Sequence, residues 1–354
     1  MNKIINILKQ KKTLPIDQFI DLSLYDKKSG YYMKSNPFGK EGDYVTSPLI
    51  SNLFGDMIGV WCVAFWEHLG KPKKISLVEL GPGDGTLCKN LLNVFKKFKN
   101  FYNCFEINLL EKSNYLKKKQ KKEIKNKKVK WIKNINKLNA GPIIFLGNEF
   151  FDALPIKQIY RKENIFFEKH IALEKKNKKL KFIYKKAKYN LIKNIKKYNL
   201  ISKGNTIEYP VKAIEYLKLI SDKISKYNGG LLILDYGYIK SINKNTLQSV
   251  KKHKFSNILL EPGNADITSH VNYKLFLDIL KKNNLQVQKI VTQSEFLQKL
   301  GIIKRAEIIS KDMSFREKAV IFYEIKRLLH YKEMGSLFKV LFAQNKKNRF
   351  NLGF

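Results

Sequence analysis

"VELGPGDGTLCKNLL", Val78–Leu92, decides the fold. An apolar run ends in an acid at Glu79, glycines follow at 81, 83 and 85, and an amphipathic stretch begins at once. The pattern is a strand passing through a bare loop into a helix, whose first free N–H groups accept a polar ligand. A dinucleotide loop needs G-x-G-x-x-G. Here the third glycine of that pattern would fall at position 86, which is Thr.

The spacing is instead E-x-G-x-G-x-G, the pattern associated with S-adenosylmethionine-dependent methyltransferases of the Rossmann-like class. Such a ligand carries no pyrophosphate, and its amino acid end suits bare main chain. Glu79, Gly81, Gly83 and Gly85 are therefore candidate cofactor residues. Glu111 closes "CFEINLLE", 26 residues beyond Gly85, where a carboxylate can accept hydrogen bonds from both ribose hydroxyls. The competing reading is a helix-dipole charge ahead of Ser113. Asn134, in "WIKNINKL", is a candidate partner for the adenine amine, with a surface loop as the equal alternative.

From Ile75 onward strands and helices alternate. "ISLVEL", "CFEINLLE", "VKWIK" and "PIIFLGNEFF" read as strands, "TLCKNLLNVFKKF" and "SNYLKKKQKKEI" as helices, which implies a parallel sheet covered by helices. "LPIDQFIDLSLYD" carries helical spacing, and "SGYYMKSNPFGKEGDYVTSP" reads as loop. One helix is expected from Ser47 as N-cap to Gly70. Residues 160–228 break the rhythm with a lysine-rich hairpin and weak helices, and "GGLLILDYGY" returns as a central strand. The last 50 residues look helical. No internal repeat is seen.

At 354 residues the chain holds one large α/β domain with additions, or two smaller units. Its net charge of +39 suggests a polyanion partner, yet only five of the 69 basic residues are Arg, and these are scattered. Phosphate and base recognition favours the arginine fork. Abundant Lys, Asn and Ile together read as compositional drift, and the lysines of 160–228 as a solvated face. Cys62, Cys88 and Cys104 have no paired spacing, so neither a disulfide framework nor a metal site is expected. The longest apolar run, Met57–Trp66, is half of what a bilayer needs. With neither a transit-peptide nor a secretory pattern at the N-terminus, bacterial cytoplasm is expected, and mitochondrial matrix is the alternative.

Further acids fall at the carboxyl ends of strands, where such sheets bind ligands. "GNEFFDALP" offers Glu149 and Asp152, "LLILDYGY" offers Asp235, and "EPGNADITSH" offers Asp266 and His270. A protonated guanidinium needs a carboxylate to orient it and to favour loss of a proton. Glu149 is the expected partner, with Asp152 beside it and Asp235 or His270 assisting.

"GDYVTSPLISNLFG", "LVELGPGDGTL", "NEFFDALPI", "LDYGY", "PGNADITSHVNY" and "EMGSLFKVL" together resemble the MidA-like methyltransferases over nearly the whole chain. That family includes a mitochondrial complex I assembly factor that methylates arginine in a subunit of that complex. The resemblance implies a class I Rossmann-like core, expected in 71–159 and 229–354, with an N-terminal helical lid in 1–70; the broken rhythm of 160–228 reads as an insertion into that core. It implies S-adenosylmethionine at the glycine loop and Glu111, and places Gly42, Asp43, Thr46 and Ser47 near the mouth. The expected function is methylation of a protein arginine. An RNA methyltransferase and a non-catalytic assembly factor that keeps the cofactor site are the alternatives.

Overall fold

The computed structural model describes residues 2–35, 37–39, 42–138, 140–174, 176–201, 204–240 and 245–354. Its centre is a nine-stranded sheet. The main strands are β1 (Ile75–Leu80), β2 (Phe105–Leu110), β3 (Val129–Ile132), β4 (Ile143–Asn148), β5 (Gly229–Tyr238), β6 (Leu285–Val287) and β7 (Phe338–Asn345). They lie in the order β3-β2-β1-β4-β5-β7-β6. The first five are parallel, and β7 runs antiparallel to both β5 and β6. Every residue of β1 is buried, as expected of an apolar run with helices on both faces.

β7 corrects the helical reading of the C-terminus. Helices Ile302–Ser310 and Phe315–Leu329 are present, but "FKVLFAQN" is a strand. A short apolar run has no period that separates a buried strand from a buried helix. The deciding partner is β5, paired Leu232 to Phe342, more than a hundred residues away.

The single helix expected from Ser47 is two. Ser47–Ile50 forms one turn, Ser51 is extended at φ −150°, and its hydroxyl caps Asn52–His68 by accepting from the Leu53 amide at 3.4 Å. Gly55 and Gly59 let this helix press against Thr86–Phe95. A Cβ at those positions would lie 2.4 Å from Asn90 and 2.8 Å from Val94. The helix after the glycine loop is therefore clamped at backbone distance. Trp61 and Phe65 share one core with β1, β2 and β7, so residues 52–68 sit in the sheet's covering layer.

A second sheet is built from Lys157–Lys162, Ile165–Leu173, Leu180–Lys186 and Thr206–Tyr209. Its edge is N-terminal: Thr13–Pro15 pairs antiparallel with Ile165–Leu173, Leu14 opposite Ile171. Helix Ile16–Tyr25 buries Phe19, Ile20 and Leu24 against this layer. Lys157 binds it with Asp17 at 3.0 Å and Glu168 at 2.6 Å. Helix Val211–Tyr227 then leaves the layer and packs Leu217, Ile220 and Ile224 on the main sheet. A hairpin, Gln248–Lys251 with Lys254–Ser256, joins Asp266–Thr268 in a third small sheet. Among the described residues no helix is long and apolar enough to cross a membrane.

Candidate active site

A cavity of about 1070 Å³ opens at the carboxyl ends of β1 to β5, roofed by the N-terminal layer. The strand order reverses between β1 and β4, which is where open α/β sheets place their ligand.

One half is built on the glycine loop. Gly81, Gly83 and Gly85 take φ of 65°, 58° and 90°, in the left-handed region. A Cβ on Gly81 would meet the Phe150 ring at 2.8 Å, and one on Gly83 the Phe38 ring at 3.2 Å. Glu79 is 3% exposed and its Oε2 has no hydrogen-bond partner. Burial, then the charges of Asp84 and Glu111, pushes its carboxyl up to about 8. An orphaned acid beside bare main chain suits an ammonium group, which the amino acid end of S-adenosylmethionine carries.

Glu111 is held from behind. Its Oε1 accepts from the Ser113 amide at 2.6 Å and its Oε2 from Gln120 Nε2 at 3.0 Å, while the side chain lines the cavity. The lone pairs left over are available to ribose hydroxyls. The helix-end contact expected of Glu111 is present, and it orients the acid toward the cavity. Gln120 was not foreseen. It also donates to the Gly83 carbonyl at 2.7 Å and accepts from Trp131 Nε1 at 2.9 Å, tying β3, the glycine loop and the acid together. Its signal was slight: an uncharged residue in a lysine-rich helix, four after Leu116 on the buried face. Asn134 lines the cavity in the extended residue after β3.

The other half gathers acids. Glu149 follows β4 at φ 49°, a costly conformation for a residue with a side chain, fixed by its amide donating to the Leu234 carbonyl at 2.9 Å. Its Oε1 accepts from the Ser47 amide at 3.1 Å and from Asn148 at 3.3 Å. Burial, then the charge of Asp152, pushes Glu149 up to about 8. Asp152 is 6% exposed; Tyr236 donates to its Oδ2, and its Oδ1 has no partner. Burial pushes Asp152 up to about 6.

Asp235 is placed differently from its neighbours. It is fully buried and absent from the cavity wall. Its oxygens accept from the amides of Phe151 at 3.0 Å, Asp152 at 3.2 Å and Tyr236 at 2.9 Å, so it shapes the turn that presents Asp152. His270 lines the cavity edge-on to Tyr236, ring centroids 5.4 Å apart. Burial and then the Lys339 charge hold its imidazole below the ordinary range, hence neutral at pH 7. Thr46 lines the cavity, whereas Ser47 is fully buried behind Glu149, its hydroxyl 3.2 Å from Gln293. Asp43 accepts from Tyr31 and from the Lys252 amide, fastening the N-terminal roof to the hairpin tip.

The wall inverts the charge of the chain. Among the described residues it holds eight of the 30 acids and only four of the 69 Lys and Arg side chains. Five of those acids, Glu79, Glu111, Glu149, Asp152 and Asp266, are pushed up mainly by burial. Folding raises them, so the folded state binds more protons than the unfolded one above the ordinary carboxyl range. Their contribution to stability is full below the ordinary carboxyl range and is lost as pH rises through it to about 8. Thermal melts from pH 5 to 8 are expected to fall more steeply for the native chain than for Glu149→Gln. Equal slopes would contradict this assignment.

The sheet order, the bare glycine loop and the buried acids beside it define a class I transferase that holds a nucleoside-linked amino acid cofactor. The profile of the S-adenosyl-L-methionine-dependent methyltransferases matches residues 57–291, and the chain belongs to that family. It is 30% identical to the mitochondrial protein arginine methyltransferase NDUFAF7 of Xenopus tropicalis, over 96% of this chain and 84% of that protein. The human counterpart is 26% identical over 93% of this chain and 80% of its own length. A Burkholderia thailandensis protein crystallised with S-adenosyl-homocysteine has the same fold, with TM-score 0.83 at 19% identity, covering 98% of this chain and 92% of its own. The protein is an S-adenosylmethionine-dependent methyltransferase.

Proposed function

We propose that this enzyme methylates the guanidinium of an arginine side chain in a protein substrate. The observation that carries the reading is the acidic wall: buried carboxyls at the acceptor end of the cavity in a chain of net charge +39. The NDUFAF7 relatives, named as protein arginine methyltransferases, support it. A phosphate backbone would meet repulsion at this wall, which weighs against an RNA acceptor. By family resemblance the substrate is a respiratory complex I-type subunit, in the mitochondrial matrix or the bacterial cytoplasm.

S-adenosylmethionine supplies an electrophilic methyl carbon on a sulfonium. The chain's own groups do the rest by alignment and charge. Glu149 pairs with one edge of the guanidinium and fixes its plane. As the new N–C bond forms, the nitrogen must shed a proton, and a carboxylate pushed up to about 8 is well matched to take it. Asp152, steadied by Tyr236, adds negative potential behind it. Phe38 lies against Gly83, stacks on Tyr32 and meets Tyr44 edge-on, an aromatic cover suited to excluding water.

The test is mass spectrometry of an extract from a deletion strain, incubated with purified chain and labelled S-adenosylmethionine. Label on protein arginine supports the reading. Label that RNase removes, or label on another side chain, overturns it. Cofactor binding with no labelled acceptor would favour the non-catalytic alternative.

A further inference from the structure

We propose that Asp266 is a second guanidinium-binding carboxylate, and that it gives the acceptor site its preference for arginine over lysine. The inference rests on the arginine reading above. Asp266 lies on Asp266–Thr268, outside the main sheet, and is 4% exposed on the cavity wall. Its Oδ1 accepts from the Tyr32 hydroxyl at 2.8 Å and from the Ile267 amide at 2.9 Å. No donor among the described residues reaches its Oδ2. Asp152, on the same wall, keeps Oδ1 unpartnered at 6% exposure. Two buried acids with spare oxygens beside Glu149 ask for a cation with several donors.

Glu149, Asp152 and Asp266 repel one another: Asp152 and Asp266 each push Glu149 up, and Asp152 pushes Asp266 up. A guanidinium relieves that repulsion best, because its five N–H donors lie in a rigid planar fork with two usable edges. Glu149 serves one edge, and a second acid is needed for the other. Asp235 is not available, since both its oxygens are taken by main-chain amides. An ammonium is a compact point charge that one or two carboxylates satisfy. Tyr32 sets the aim of Asp266 and is itself backed by the Tyr44 hydroxyl at 3.2 Å, so the N-terminal roof completes the site.

The experiment is calorimetric titration of the full chain, saturated with S-adenosylhomocysteine, with acetyl-Gly-Arg-Gly-amide and with its lysine analogue. Asp266→Asn keeps an oxygen for Tyr32 and the Ile267 amide. It is expected to weaken the arginine peptide at least 10-fold and the lysine peptide less than 3-fold, with S-adenosylhomocysteine affinity unchanged. Tyr32→Phe is expected to fall between native and Asp266→Asn. If the native chain does not favour the arginine peptide, the arginine reading fails. If it does and Asp266→Asn binds both peptides as the native chain does, the role given to Asp266 fails. Loss of S-adenosylhomocysteine binding in Asp266→Asn would also overturn it, by making Asp266 structural.

Discussion

On the proposed reading, Glu149→Gln is expected to lower methyl transfer by about 10²–10⁴-fold, the contribution of a well-placed acid–base group. The amide oxygen of Gln still accepts from the Ser47 amide and Asn148, so the strained turn after β4 is expected to persist. What the substitution removes is the charge proposed to orient the guanidinium and the site proposed to take its proton. Cofactor affinity, set by the other half of the cavity, is expected to stay within about 2-fold. Labelled methyl transfer at saturating cofactor reads the first quantity, and calorimetry with S-adenosylhomocysteine the second. The native rate should rise with pH as Glu149 ionises toward about 8, and the variant should lose that limb. Unchanged turnover would remove Glu149 from the mechanism.

Glu111→Ala produces the opposite split. A charge-assisted hydrogen bond to a ribose hydroxyl is worth about 1.5–3 kcal/mol, so S-adenosylhomocysteine is expected to bind at least about 10-fold more weakly for each such bond lost. With enough cofactor the turnover rate is expected to recover to within a few-fold of native, because Glu111 follows β2 whereas Glu149 and Asp152 follow β4. The substitution also strips partners from the Ser113 amide and Gln120, and a lowered melting temperature should accompany it. Cofactor affinity left at the native value would mean that Glu111 is only a helix-end charge.

The cofactor half could be read along the chain because its parts are contiguous. Strand, bare loop, helix and next strand supply Glu79, the glycines and Glu111 in order, and each obeys a local rule of main-chain geometry. Gln120 could not be found this way, since its value lies in reaching Gly83 and Trp131 at once. On the acceptor side the sequence offered several acids near strand ends and could not separate their places. Asp152 and Asp235 look alike in sequence, both acids near a strand end. Only the fold turns one toward the cavity and spends the other on main-chain amides.

Sequence alone determined the sheet-and-helix alternation, the cofactor class and the acids at strand ends, because burial periodicity and glycine spacing act over a few residues. Tertiary structure decided that "FKVLFAQN" is a strand, that Thr13–Pro15 completes the second sheet, and that Tyr32 meets Asp266 across 234 positions. The physical reason is distance along the chain. A hydrogen bond or buried charge pair between remote segments exists only once folding brings them together, and neither partner bears a mark of the other beforehand.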